Sequence, residues 1–135
     1  MLRIIAIGAL ALTVTACLGS DFSDSLEGSW QLVSGTADGA DVPVLESHPI
    51  TIVFDGEQVS GVAACNSYSG AYNLDGSSIE FGNLAMTEMA CIDPPGVMEA
   101  EAAYAAALLS VDTVTIDDGL TLSGPDVELV FTSTD

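Results

Sequence analysis

Three Asp-Gly pairs, each set between short runs rich in β-branched and aromatic residues, constrain this chain most. Asp55-Gly56 separates Ile50–Phe54 from Gln58–Val62. Asp75-Gly76 separates Tyr68–Leu74 from Ser78–Phe81, and Asp118-Gly119 separates Val111–Asp117 from Leu120–Ser123. A tight hairpin needs backbone with positive φ at its centre, and Asp and Gly accept that conformation at little cost. Gly124-Pro125 turns the chain again, into Val127–Thr132, and Trp30–Val33 opens the series. The pattern predicts a meander of short antiparallel strands.

One segment departs from it. Asp93-Pro94-Pro95-Gly96 precedes V-M-E-A-E-A-A-Y-A-A-A-L-L, residues 97–109. Pro and acidic residues suit a helix start, and Ala and Leu are strong helix formers. Met98, Glu101, Tyr104 and Leu108 fall near one face at helical spacing, so the apolar members can seal a sheet. The expected class is α+β, mostly β, with one packed helix over about residues 95–109. At 135 residues the chain has room for one domain, expected over residues 28–132, and no internal repeat is visible.

The N-terminus reads differently. Met1-Leu2-Arg3 is a short basic start, and Ile4–Val14 is apolar apart from one Gly and one Thr. Such a run of ~7–15 residues before small residues marks a secretory signal. It falls short of the ~20 apolar residues of a spanning helix. The small residues end in Val14-Thr15-Ala16-Cys17, which resembles the lipobox of bacterial lipoproteins. That resemblance implies cleavage between Ala16 and Cys17, removal of residues 1–16, and a diacylglycerol thioether on Cys17. Two or more acyl chains make anchoring stable. Residue 18 is Leu rather than Asp, so the usual inner-membrane retention mark is absent. The expected location is the outer membrane, facing the periplasm. Residues 17–27, with Ser and Asp from Leu18 to Leu26, read as a polar lipidated tether.

Of three cysteines, lipidation of Cys17 leaves Cys65 and Cys91. In an oxidising compartment their default is a disulfide. A catalytic Cys65 would need a cationic neighbour, a helix N-terminus or a base. The only histidine is His48, just before Pro49.

The twenty Asp and Glu face a single cation, Arg3, for a net charge of −19. Beyond residue 16 there is neither Lys nor Arg. This excludes P-loop lysine and arginine-clamp chemistry, and makes DNA, RNA and anionic lipid poor partners. Asp38, Asp55, Asp75 and Asp118 sit in turns and read as a solvated coat. With no His pair, no Cys-x-x-Cys and no spaced Asp/Asn loop, no metal site is signalled and no cofactor is implied.

Three ordered blocks then resemble one family. Gly61, Cys65-Asn66, Tyr68, Gly70 and Tyr72 match the glycine–Cys-Asn–tyrosine core of the META, or HslJ-like, domain. Ala85-Met86-Thr87-Glu88-Met89-Ala90-Cys91 is similar to its second block, and Met98, Glu101, Tyr104 and Leu108 to its helix. Trp30-Gln31-Leu32 and Leu129-Val130-Phe131 also fit. The resemblance implies a curled antiparallel sheet, close to a broken barrel, with one packed helix. It also implies an envelope lipoprotein linked to heat shock or antibiotic tolerance, with no enzymatic activity and no agreed ligand. Ala64 stands where the family usually has Gly, which predicts a backbone there that is not glycine-only.

Strand alternation puts Asn66, Tyr68, Gly70 and Tyr72 on one face and Cys65 on the other, from which it can reach Cys91. The first face has two readings. Asn66 satisfies a bend and the tyrosines pack as core, or they line a cleft for an apolar or amphipathic ligand. Glu101 faces the sheet near Tyr104, where a carboxylate needs hydrogen bonds, and Thr87 and backbone N–H groups are the expected donors. It reads as a latch from the helix to the Ala85–Cys91 block. The overall reading is a non-catalytic periplasmic binding or stabilising module. The alternatives are an inhibitor of a lysozyme-type hydrolase, steered by the acidic surface, and a carrier of a small apolar or lipid ligand.

Overall fold

The computed structural model describes residues 20–135. Ala16, Cys17 and the signal segment lie outside the described residues. The described elements run α1 (Ser20–Leu26), β1 (Gly28–Ala37), β2 (Ala40–Asp41), β3 (Thr51–Asp55), β4 (Gln58–Ala63) and β5 (Asn66–Asp75). They continue with β6 (Ser78–Phe81), β7 (Ala85–Met86), α2 (Val97–Leu109), β8 (Thr113–Ile116), β9 (Leu120–Gly124) and β10 (Val127–Ser133). No described helix is long and apolar enough to cross a membrane.

The three expected Asp-Gly hairpins form, joining β3 to β4, β5 to β6 and β8 to β9, and a fourth pair, Asp38-Gly39, turns β1 into β2. Inward positions alternate as a half-buried sheet requires: Ile52 and Phe54 on β3, Leu120 and Leu122 on β9, Leu129 and Phe131 on β10. The order β10-β9-β8-β6-β5-β4-β3-β1 returns on itself, because β1 also pairs with β10. The broken barrel expected from sequence is therefore a closed one, with β2 and β7 as short additions to β1 and β5. Its narrowest seam is β6–β8, paired only at Ser78↔Thr113. Two flanking bonds, Ile79 N to Asp112 O at 3.0 Å and Val114 N to Ser77 O at 2.8 Å, complete it.

Strand β1 is longer than expected because a bulge lets it change phase. The register passes from Leu32↔Phe131 to Ser34↔Val130, which leaves Val33 outward while Leu32 stays buried.

The tether reading needs correction at its end. Residues 20–26 are helical and Leu26 is fully buried. Trp30 Nε1 donates to Leu26 O at 3.0 Å, and Gly56 N donates to Glu27 Oε1 at 2.8 Å. An apolar side chain and two hydrogen bonds thus dock this segment onto the barrel.

Ala64 also differs from expectation. Its φ is 72°, in the left-handed region, so this turn does take the conformation a glycine would favour. An alanine pays roughly 1–2 kcal/mol for it. Its methyl group is buried, and that burial offsets part of the strain at about 0.8 kcal/mol. Cys65 follows inside the turn rather than in a strand, and is bonded to Cys91 with Cα atoms 5.9 Å apart.

Helix α2 packs on β1, β4 and β10, burying Val97, Ala100, Glu101, Tyr104, Ala107 and Leu108. Those positions recur at three- and four-residue spacing, the period of one helix face.

Candidate functional site

The Cys-Asn block, the Ala85–Cys91 block and α2 meet at the start of β5. Asn66 is the hub. Its backbone N donates to Glu101 Oε1 at 2.6 Å, and its Nδ2 donates to Glu101 Oε2 at 2.8 Å and to Met89 O at 3.0 Å. Its Oδ1 accepts from Met89 N at 2.6 Å and from Thr87 Oγ1 at 2.9 Å. A side-chain amide has two donors and two acceptor sites, and here all four are filled. Thr87 Oγ1 accepts in turn from Ser67 N at 3.1 Å. Thr87 therefore supports Asn66; it is not the donor to Glu101 that the sequence led us to expect. The expected backbone N–H donor to Glu101 is present, on Asn66.

Tyr68 and Tyr104 form a second chain of bonds. The Tyr68 hydroxyl lies 2.7 Å from Thr51 O and 2.7 Å from the Tyr104 hydroxyl. Thr51 O can only accept, so Tyr68 donates to it, and Tyr104 donates to Tyr68. Burial pushes both phenols up; the neighbouring Tyr104 adds to the rise at Tyr68, which lies well above its ordinary value, while the bond to Tyr68 opposes the rise at Tyr104. Gly61 makes room for this arrangement. A Cβ there would collide with the Thr51 carbonyl and lie 2.7 Å from the Tyr68 hydroxyl.

Tyr72 shares the face but not the place. Its hydroxyl donates to Gly56 O at 2.6 Å, and its ring meets Phe54 edge-on at 5.1 Å. Burial, then Glu27, Asp55 and Glu57, raise its phenol. It is core and not cleft lining.

Beside Tyr68 and Tyr104 lies an open cavity of about 340 Å³, lined mainly by Leu84, Met86, Leu108 and Leu109 with the two rings. Buried Tyr104 and Leu108 form its base, and Leu109, 68% exposed, stands at its rim. The volume is at the lower end of small-molecule sites, which run roughly 300–1,000 Å³. Leu84 carries no sequence signal, since a lone Leu between strands fits no period.

The remaining chemistry is sparse. Among the described residues no group of three His, Cys, Asp or Glu side chains could hold a metal ion. His48 Nδ1 lies 3.1 Å from Ser47 Oγ, and Cys65 is in its disulfide, so neither serves as the other's partner.

The META domain family model matches residues 23–135. A protein from Burkholderia xenovorans solved by NMR is 26% identical, with a TM-score of 0.69 over 97% of this chain and 99% of its own. A second NMR structure is 24% identical, with a TM-score of 0.62 over 84% and 95%. The crystal structure of a lipocalin-like protein from Bacteroides uniformis ATCC 8492 is 18% identical and shares the fold, with a TM-score of 0.50 over 81% and 98%. No curated protein matches the chain. With its Cys-Asn block, its threonine-methionine block and its helix joined around Asn66, the chain belongs to the META domain family.

Proposed function

We propose that this protein is a non-catalytic binding module of the cell envelope, anchored by lipid at Cys17 to the outer membrane and facing the periplasm. One observation carries the binding role. The polar groups of the family motif are all engaged with one another, while the apolar cavity beside them stands open. A catalytic site keeps a nucleophile or a proton-transfer group directed at the space a substrate enters. Here that space is faced by Leu84, Met86, Leu108, Leu109, Asn83, whose amide neither ionises nor acts as a nucleophile, and two tyrosines whose hydroxyls already have partners. The walls suit a small apolar or amphipathic molecule, such as an acyl chain, held by area and ring contact rather than by charge.

The anchor draws its support from the basic start, the apolar run and Val14-Thr15-Ala16-Cys17. Inhibition of a lysozyme-type hydrolase draws support from the acidic surface alone and is the alternative.

Native mass spectrometry of the protein extracted gently from membranes tests both parts. The expected spectrum carries acyl mass on Cys17 and a displaceable small apolar molecule. A bare polypeptide beginning at Met1, with no adduct, would overturn the anchor and count against the cavity.

A further inference from the structure

A second depression, of about 430 Å³, opens on the other side of Met86 and involves different chemistry. Its lining includes Met86, Met89, Met98, Glu88, Glu101 and Asn66. Every methionine of the chain apart from Met1 is therefore found there. The three come from separate places, β7, the loop after it and the first turn of α2, so helical or strand periodicity does not explain their meeting.

Methionine most often fills gaps in a core. Met89 does not, being 58% exposed. Met98 is held in position: its Sδ accepts from Cys91 N at 3.4 Å, which uses one lone pair and leaves the other. Beside these sulfurs lies Glu101, only 6% exposed, whose oxygens take hydrogen bonds from the neutral donors of Asn66. Residues 20–135 contain no Lys or Arg, so no such side chain can balance that carboxylate. Thioethers are neutral, soft ligands that favour Cu(I) over hard cations. Three of them around a monovalent cation have one buried carboxylate beside them, Glu101, to balance its charge, while Glu88 in the same lining is exposed to solvent. The cysteine sulfurs do not compete, since they are joined to each other. Methionine's rotatable bonds let the sulfurs converge without backbone movement.

We propose that Met86, Met89 and Met98 form a site for one soft monovalent cation, Cu(I) or its analogue Ag(I), with Glu101 supplying the counter-charge. No sequence spacing signals the site, because the three methionines come from separate elements and meet only in the fold.

The test is Ag(I) titration of the full chain in detergent without reductant, its disulfide verified by mass, with methionine methyl groups followed by NMR. The expected result is one Ag(I) per chain, shifts of the three methyl signals, and no competition from excess Ca(II). M86L/M89L/M98L conserves side-chain volume and should weaken binding about tenfold or more. Should that triple variant not fold, M89L alone, at the exposed position, should still weaken it measurably. Equal Ag(I) uptake by wild type and folded variant, or unmoved methyl signals, would assign the silver to scattered surface carboxylates and overturn the site.

Discussion

Glu101 and Asn66 meet twice: one carboxylate oxygen accepts the Asn66 backbone N–H at 2.6 Å, the other its side-chain N–H at 2.8 Å. The pair joins the middle of α2 to the first residue of β5, and Asn66 extends the link to Met89 and Thr87. Truncating Glu101 to Ala leaves two buried donors without acceptors, each worth about 1–3 kcal/mol. We expect Glu101→Ala to lose roughly 2–5 kcal/mol in urea unfolding. A loss below about 0.5 kcal/mol, the range of an ordinary surface substitution, would contradict the latch.

The Gly61–Thr51–Tyr68 contact gives a second expectation. Gly61→Ala drives a methyl group into the Thr51 carbonyl, a rigid backbone atom, and displaces the Tyr68 hydroxyl. Overpacking of this kind costs about 1–3 kcal/mol. Gly39 has φ 81° and an open Cβ position, so Gly39→Ala carries backbone strain but no collision. Thermal melts should show the new tyrosine environment only in Gly61→Ala, as a changed near-ultraviolet circular dichroism signal.

The buried phenols set an alkaline limit. Both Tyr68 and Tyr104 have folded values raised above the unfolded value of about 10. The folded state therefore holds these protons more tightly. Their stabilisation is fully present below pH ~10 and is lost as pH rises toward the folded values. Above pH ~10 two protons correspond to a slope of up to about 2.7 kcal/mol per pH unit. Absorbance titration at alkaline pH should show neither phenol ionising until the chain unfolds, after which both ionise together. Independent ionisation of all three tyrosines near pH 10 in folded protein would contradict the buried relay.

Charge makes a fourth. Residues 17–135 hold twenty carboxylate side chains and no Lys or Arg, and the turn residues Asp38, Asp55, Asp75 and Asp118 are all exposed. The screening length falls from about 30 Å at ~0.01 M salt to about 3 Å at ~1 M. The melting temperature should rise over that range, equally in NaCl and KCl. A rise produced by micromolar calcium and by neither monovalent salt would mean that the acids form a site.

Much of this fold could be read from the chain, for physical reasons. Asp-Gly pairs have few backbone options, so all three hairpins stand where expected. The helix over 97–109 combines propensity with a buried stripe, and the Glu101 link to a backbone N–H follows from the cost of burying a carboxylate. What escaped depends on tertiary context. Two-residue strands β2 and β7 are too short for any period. The phase change at Val33 is invisible until Val130 fixes the register. Segment 20–26 looks polar, and only the docking of Leu26 makes it part of the domain. Ala64 adopts a conformation that its side chain disfavours. Tyr68 and Tyr72 share a strand face, yet four residues separate the cavity wall from the Phe54 core.

The cavity between α2 and the β5–β7 corner is the most direct test of the account. Ala105 lines it from α2, so Ala105→Trp should fill it while leaving the Asn66–Glu101 latch untouched. A fluorescent fatty-acid analogue titrated into the wild-type protein should bind saturably, at one site, with little dependence on salt. Ala105→Trp should abolish that binding with an unchanged melting temperature. Equal binding by both proteins, or none by wild type, would contradict the claim that this barrel is a binding module for an apolar ligand.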